Sequence, residues 1–310
     1  MGSGALFRLA VLAAAIAASV VACAAPAVED EVDESEGALT GTCESVCATD
    51  GELEATDLLV SVNRSSGLKR TFAPKRTRVP NAYAAQPTWL RPLALGYFMQ
   101  MADAAKRDLR RTIKVGSGYR GFCRQCELFD GYAKKEGEAK ADTFSARAGH
   151  SEHQLGTTAD IFSETDTFMG GPYDIPGTCE ADAGLYAWLD AHAYEFGYMN
   201  SYPPNDAEAG DRLVSRTYRY TKYVPEPWHW RFVGKRAAEV HHALSLETQV
   251  RFSTHEFIDL LTKPLEALPE GSREHAERAR LIVTRLGYTV ESLELEHDDD
   301  RAAAARVASR

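Results

Sequence analysis

The sequence predicts an α+β fold with a helical C-terminal extension. Helical and strand-like segments follow one another without a regular βαβ repeat, the mark of that class. Short β-prone runs lie between amphipathic stretches of helical spacing. From about Ala237 onward the pattern is helical throughout. The 310 residues, 44% of them hydrophobic, suffice for a sizeable core in one or two domains, and no internal repeat is visible.

Taken in order, Leu58-Leu59-Val60-Ser61-Val62 reads as a first strand. Residues 64–88, rich in Pro, Arg and Lys, read as an extended covering segment. Leu93, Tyr97, Met101 and Ala105 place a helix over Leu90 to Arg110. Ile113 to Arg120 is a strand ending in a glycine-rich turn, and Leu128, Phe129 and Tyr132 mark one face of a helix from Arg124 to Glu136. Ser145 to Phe162 is a loop followed by the strand Thr158-Ala159-Asp160-Ile161-Phe162. Gly170, Gly171, Pro172, Pro176 and Gly177 break the chain into an irregular excursion. A helix returns over Leu185 to Phe196, with Gly197 as its cap. Residues 200–216 read as a polar loop, and Tyr218 to Val224 as a strand leading into Trp228-His229-Trp230. Helices are expected over Glu239–Leu246, Thr254–Leu268 and Arg273–Leu286, and the charged, then Ala/Arg-rich tail from Glu296 reads as disordered.

The N-terminus has the form of a targeting segment. Arg8 precedes an apolar run from Leu9 to Ala22, shorter than the ~20 residues a membrane-spanning helix needs. Val20-Val21-Ala22-Cys23 resembles a bacterial lipobox, in which the cysteine is lipidated; the alternative is an ordinary secretory signal cleaved near the same alanines. Residues 24–56 carry Glu and Asp but no Lys or Arg, the composition of a disordered acidic tether. The organisation expected is therefore a lipoprotein-type signal peptide at 1–23, the tether at 24–56, a folded domain at 57–245 and a helical extension at 246–310. Exported, membrane-anchored placement at a bacterial surface or periplasm follows. The formal charge of −10 argues against nucleic acid as a partner. The six cysteines of an exported chain point to disulfides, with Cys43, Cys47, Cys123, Cys126 and Cys179 available if Cys23 is lipidated. A structural zinc site from Cys43, Cys47, Cys123 and Cys126 is the competing use.

Two fragments carry the chemistry: Ser151-Glu152-His153-Gln154-Leu155-Gly156-Thr157-Thr158-Ala159-Asp160 and Glu226-Pro227-Trp228-His229-Trp230. Two imidazoles, a carboxylate and a further acid are the set that a catalytic zinc site requires, with one coordination position left for water. His153, Asp160 and His229 are the expected ligands. Glu226 is the expected general base, taking a proton from a zinc-activated water and returning it to the leaving amine. Pro227 biases Glu226 away from helix, so the chain can bend between the acid and His229. Neither fragment is informative alone; their joint occurrence is.

The longer strings resemble a known family. Leu59-Val60-Ser61-Val62-Asn63, Ser117-Gly118-Tyr119-Arg120, Gln125, Ser151-Glu152-His153 with Gly156 and Asp160, and Glu226-Pro227-Trp228-His229-Trp230 are similar, in order, to the VanY-type zinc D-alanyl-D-alanine carboxypeptidases. The resemblance implies a small antiparallel sheet carrying the zinc site, as in hedgehog-related peptidases, over roughly residues 57–240. It implies His153, Asp160 and His229 on zinc, Glu226 as base and Arg120 as oxyanion stabiliser. Gln125 and Ser151 match substrate-contacting positions, though either could brace a loop. The implied reaction is removal of the terminal D-Ala from a peptidoglycan stem peptide. A wall endopeptidase with the same centre, or a zinc-containing wall-binding module without turnover, are the alternatives.

Other features carry less. Thr157 and Thr158 depart from the apolar residues of the family beside the ligand strand. His150 could compete as a ligand but reads as an exposed loop residue. His255-Glu256-Phe257-Ile258-Asp259 begins like a HExxH helix, but Asp259 stands where the second His belongs, so its residues read as helix surface. His241-His242 point in different directions on a helix. No Gly-x-Ser-x-Gly elbow is present. Trp228 and Trp230 read as packing around the ligand.

Overall fold

A computed structural model of the chain describes residues 58–163, 168–171, 182–204, 212–294 and 300–308. The segments expected to be a signal peptide, lipobox and acidic tether lie outside the described residues, as does most of the Gly/Pro excursion. Two short strands, β1 (Thr77–Arg78) and β2 (Trp89–Leu90), pair antiparallel ahead of α1 (Pro92–Leu109), β3 (Lys114–Ser117) and α2 (Phe122–Glu136). A one-turn helix α3 (Glu138–Ala141), then β4 (Thr158–Phe162), α4 (Ala183–His192) and β5 (Tyr198–Tyr202) follow. After these come α5 (Arg216–Thr221), β6 (Glu226–Phe232) and four C-terminal helices. The four are α6 (Lys235–Thr248), α7 (Thr254–Thr262), α8 (Glu270–Arg285) and α9 (Asp300–Ala308). The class is α+β, as expected.

The centre is a four-stranded antiparallel sheet in the order β3-β4-β6-β5. Because side chains alternate between faces along a strand, Ala159 and Ile161 of β4 and Trp230 and Phe232 of β6 all enter one apolar core. There they meet Val115, Tyr198 and the α1 residues Leu95, Tyr97 and Phe98. Tyr97 stacks on Phe232 with ring centroids 5.4 Å apart. A second core joins Leu59 and Met199 to α6, α7 and α8, through residues such as Val240, Phe257 and Ile282. The C-terminal helices are thus packed against the sheet that carries the site.

Four local readings are corrected. Leu58 to Val62 forms no strand: the carbonyls of Leu58 and Val60 are taken by the buried Arg231 guanidinium, 2.7 Å from each. Tyr218 to Val224, β-prone by composition, begins instead within helix α5, because Ser215 Oγ caps its N-terminus by accepting from Tyr218 N. The strand in this region is β5, whose five residues are all buried although its end, Asn200 to Tyr202, was expected in a polar loop. Finally, residues 300–308 of the expected disordered tail form α9 on α1. Tyr97 Oη donates to Asp300 Oδ1 at 2.7 Å and Arg306 pairs with Asp103. Gly96 permits the contact: a Cβ there would fall 2.2 Å from the Ala303 carbonyl oxygen.

Candidate metal centre

The residues that meet at the site come from three places, and each is positioned by local chemistry. His153 lies in a 3-10 turn, Glu152–Leu155, capped by Ser151 Oγ, which accepts from His153 N at 3.4 Å. Gly156, at φ 69°, ends that turn in the left-handed region and starts the chain towards β4. Asp160 and His229 face each other across the β4–β6 pairing, where cross-strand side chains lie ~5 Å apart. The distances are correspondingly short. His153 Nε2 lies 3.2 Å from Asp160 Oδ2, and His229 Nδ1 lies 3.3 Å from Asp160 Oδ1. Glu226 Oε2, three residues back along β6, is 3.3 Å from His229 Nδ1.

Each ring has one nitrogen assigned outward. His153 Nδ1 donates to Gly118 O at 2.6 Å, so Nε2 carries the lone pair, buried and without a hydrogen-bond partner. His229 Nε2 lies 3.1 Å from Glu152 Oε2, which leaves Nδ1 for the centre once the ring is neutral. Outer partners of this kind orient imidazoles that bind metal. Asp160 Oδ1 is likewise buried without a hydrogen-bond partner. Among the described residues His153, Asp160 and His229 form the one group whose ligand atoms all lie within 4.8 Å of each other. Two inward imidazole nitrogens and a carboxylate fit a zinc ion with an open position.

The charges agree with a cation site. Burial opposes charge on His229, yet hydrogen bonds to Asp160, Glu152 and Glu226 hold its pKa well above the ordinary imidazole value. Burial pushes His153 down to about 4, and the Arg120 guanidinium adds to that shift. Burial would raise Asp160, but His153 and His229 keep it well below the usual carboxylate range. Glu226 moves the other way: burial raises it, only partly offset by His229, which brings a carboxylate closer to the range suited to proton transfer near neutral pH.

The remaining expected residues are placed as follows. Arg120 donates its backbone N–H to His153 O at 3.3 Å, and its buried Nε has no hydrogen-bond partner. Gln125 is buried on α2; its Nε2 donates to Ala146 O at 2.6 Å, bracing that loop, while Oε1 is unpartnered. Ser151 serves as the cap described above. His150 is not brought to the centre: it is half-buried, with Nδ1 2.7 Å from Asn63 O. Trp230 is core, whereas Trp228 leans on Phe168 with centroids 5.4 Å apart. Cys126 is buried beside Phe122 and Ala148, and Cys123 is half-buried. The other four cysteines, and with them any pairing pattern, lie outside the described residues.

Four residues near the centre escape sequence reasoning. Glu152 accepts from Arg231 Nη1 at 2.8 Å and from His229 Nε2, so burial is outweighed and its pKa sits well below the ordinary value. Arg231, mid-strand and fully buried, was signalled only by standing two residues from His229 on the same face. Asn200 on β5 donates from Nδ2 to the carbonyls of Glu226, Pro227 and His229, fixing the bent start of β6. His255 is 2% exposed, not surface, and carried no usable local signal.

The chain is similar to known proteins. The family model for VanY, D-alanyl-D-alanine carboxypeptidase, matches residues 87–235. "Putative carboxypeptidase YodJ" of Bacillus subtilis (strain 168) is 32% identical over 189 residues, covering 59% of this chain and 63% of that protein. A D-alanyl-D-alanine carboxypeptidase of Enterococcus faecalis (strain ATCC 700802 / V583) is 34% identical over 162 residues, covering 49% and 52%. The chain thus spans only half to two thirds of the length of these relatives. A solved structure of the LdcB LD-carboxypeptidase superposes with a TM-score of 0.51 at 27% identity, over 65% of this chain and 86% of that one. The matched stretch holds all three ligand candidates, Glu226 and the sheet that assembles them. Residues 87–235 form a domain of the VanY D-alanyl-D-alanine carboxypeptidase family.

Proposed function

We propose that this chain is a zinc peptidase that removes the terminal D-alanine of peptidoglycan stem peptides. The observation that carries the reading is the convergence of His153, Asp160 and His229, with Glu226 3.3 Å from the last, inside a domain of this family. A bound zinc ion would supply Lewis-acid polarisation of the scissile carbonyl and an acidified water. Glu226 accepts a proton at its carboxylate and delivers it to the nitrogen of the departing D-alanine. Arg120, with its unpartnered Nε, stabilises the negative charge that develops on the carbonyl oxygen. Gln125 and Ser151 border the substrate, a role supported for Gln125 by its unpartnered Oε1.

Cleavage at a chain end requires a receptor for the free carboxylate. Arg212, half-buried with Nε lacking a hydrogen-bond partner and feeling the charge of Glu226, supports the exopeptidase reading over an endopeptidase. The LdcB likeness favours one further possibility, cleavage of the L,D bond of a shorter stem. Export, a lipid at Cys23, the tether at 24–56, disulfides among the other cysteines and the division into a 57–245 domain and its extension belong to the same proposal on the sequence alone. Among the described residues no helix is long and apolar enough to cross a membrane.

The test incubates the zinc-loaded full chain with a pentapeptide stem, a tetrapeptide stem and a C-terminally amidated pentapeptide, read by mass spectrometry. Release of D-Ala from the free pentapeptide alone is expected, and Glu226→Gln should lower kcat by ~10²–10⁴. Turnover of the tetrapeptide instead would establish the L,D reading, and cleavage of the amide an endopeptidase. Zinc-dependent binding without product would leave a binding module. Wild-type turnover by Glu226→Gln would remove the base from the mechanism.

A further inference from the structure

Helix α7 lies beyond the residues matched by the family model, yet three of its ionisable side chains are buried along with its apolar ones. His255, Glu256 and Asp259 are 2%, 1% and 6% exposed. Burying three ionisable groups on one nine-residue helix is a poor way to gain stability, since apolar residues of like volume do as well or better. Each of the three instead meets a partner in the structure around the metal centre. Asp259 Oδ2 accepts from Tyr220 Oη at 2.8 Å, and Glu256 pairs with Arg216. Both partners lie on α5, the helix that delivers the chain to Glu226. Thr254 Oγ1 donates to Ser201 Oγ of β5 at 2.9 Å.

His255 reaches furthest. Its Nε2 lies 3.5 Å from Glu152 Oε1, the oxygen that also accepts from Arg231, while the other oxygen of the same carboxylate faces His229. Both ring nitrogens of His255 are buried without a hydrogen-bond partner, and the Glu152 carboxylate is the acid within ion-pair distance of Nε2. Tyr202 packs edge-on against both imidazoles, with centroids 4.9 Å from His229 and 5.6 Å from His255. The helix is held at the correct height by Ser253 Oγ, which accepts from Glu256 N at its first turn.

We infer that α7 is a buttress of the metal centre and that His255 is a positioning residue, holding Glu152 so that Glu152 can fix the ring of His229. The inference rests on His229 being a ligand. A group that orients a ligand imidazole through its outer nitrogen typically changes metal affinity or activity by ~10–100-fold when removed. His255 acts one contact further out, so the lower half of that range applies.

The experiment uses the full chain and three variants, His255→Ala, His255→Gln and Ile258→Ala. Ile258 is buried on the same helix within the apolar core, with no polar role. Zinc affinity is measured by competition with a chromophoric chelator, the ligand field by the visible spectrum of the cobalt(II)-loaded protein, and folding by thermal melting. His255→Ala should bind zinc about tenfold more weakly with a shifted cobalt spectrum. His255→Gln, which keeps an N–H donor, should recover part of the affinity. Ile258→Ala should melt earlier but bind zinc as the wild type does. Unchanged affinity and spectrum in His255→Ala, or equal loss in Ile258→Ala, would overturn the buttress while leaving the metal centre intact. A wild-type chain that takes up no zinc would overturn the centre itself, and the buttress with it.

Discussion

The two faces of β6 are buried alike and held by opposite means. Trp230 and Phe232 on one face are 2% and 1% exposed, and His229 and Arg231 on the other are 4% and 0% exposed. The first pair sits in the core with Tyr97 and Tyr198, where each contact is non-directional and burial scales with area. The second pair shares Glu152, where a single carboxylate satisfies an imidazole and a guanidinium at 3.1 and 2.8 Å. A buried charge has no such tolerance: remove one member and the others are left uncompensated. One strand therefore carries a forgiving face and an unforgiving one, one residue out of step.

That contrast can be broken or sharpened by substitutions that barely alter shape. The largest effect is expected for Asp160→Asn, which preserves volume but removes the anionic member of the candidate ligand set. Zinc affinity should fall by more than the ~100-fold that loss of an outer partner causes, as read by chelator competition. Retained affinity would show that Asp160 is only a neighbour of the centre. Next comes Arg231→Met, which leaves the Glu152 charge buried without its guanidinium. Chemical denaturation should report a loss of ~3–5 kcal/mol, and a loss below ~1 kcal/mol would mean that the polar face tolerates change as the apolar one does. Smallest is Ile161→Leu, next to Asp160 on β4 but on the core face. It should cost under ~1.5 kcal/mol and leave zinc affinity unchanged. A weakened zinc site in that variant would show the two faces to be coupled.

How much could be read beforehand follows the same division. β4 was legible residue for residue, because Thr158 to Phe162 is β-prone and bounded by Gly156. The meeting of His153, Asp160, His229 and Glu226 was legible because metal chemistry restricts residue type and the strings around them occur together in family order. β5 was not: Tyr198 to Tyr202 includes Asn and Ser, and only pairing with β6 makes it a strand. Helix α5 was hidden by its Thr/Tyr composition and revealed by the Ser215 cap. Glu152 stood inside a recognised string without a stated role, because its partners, Arg231 and His255, are 79 and 103 positions away along the chain. Long-range satisfaction of a buried charge leaves no periodic trace.

The hydrogen bonds from Arg231 to the carbonyls of Leu58 and Val60 have a practical outcome. Anyone trimming the N-terminus to obtain a compact fragment would naturally cut near Val62, the first side chain of that arm with no exposure at all. Such a cut would strip two acceptors from the fully buried Arg231 beside the candidate centre, and the damage would be felt there although none of His153, Asp160 and His229 was touched. A shortened chain should begin before Leu58.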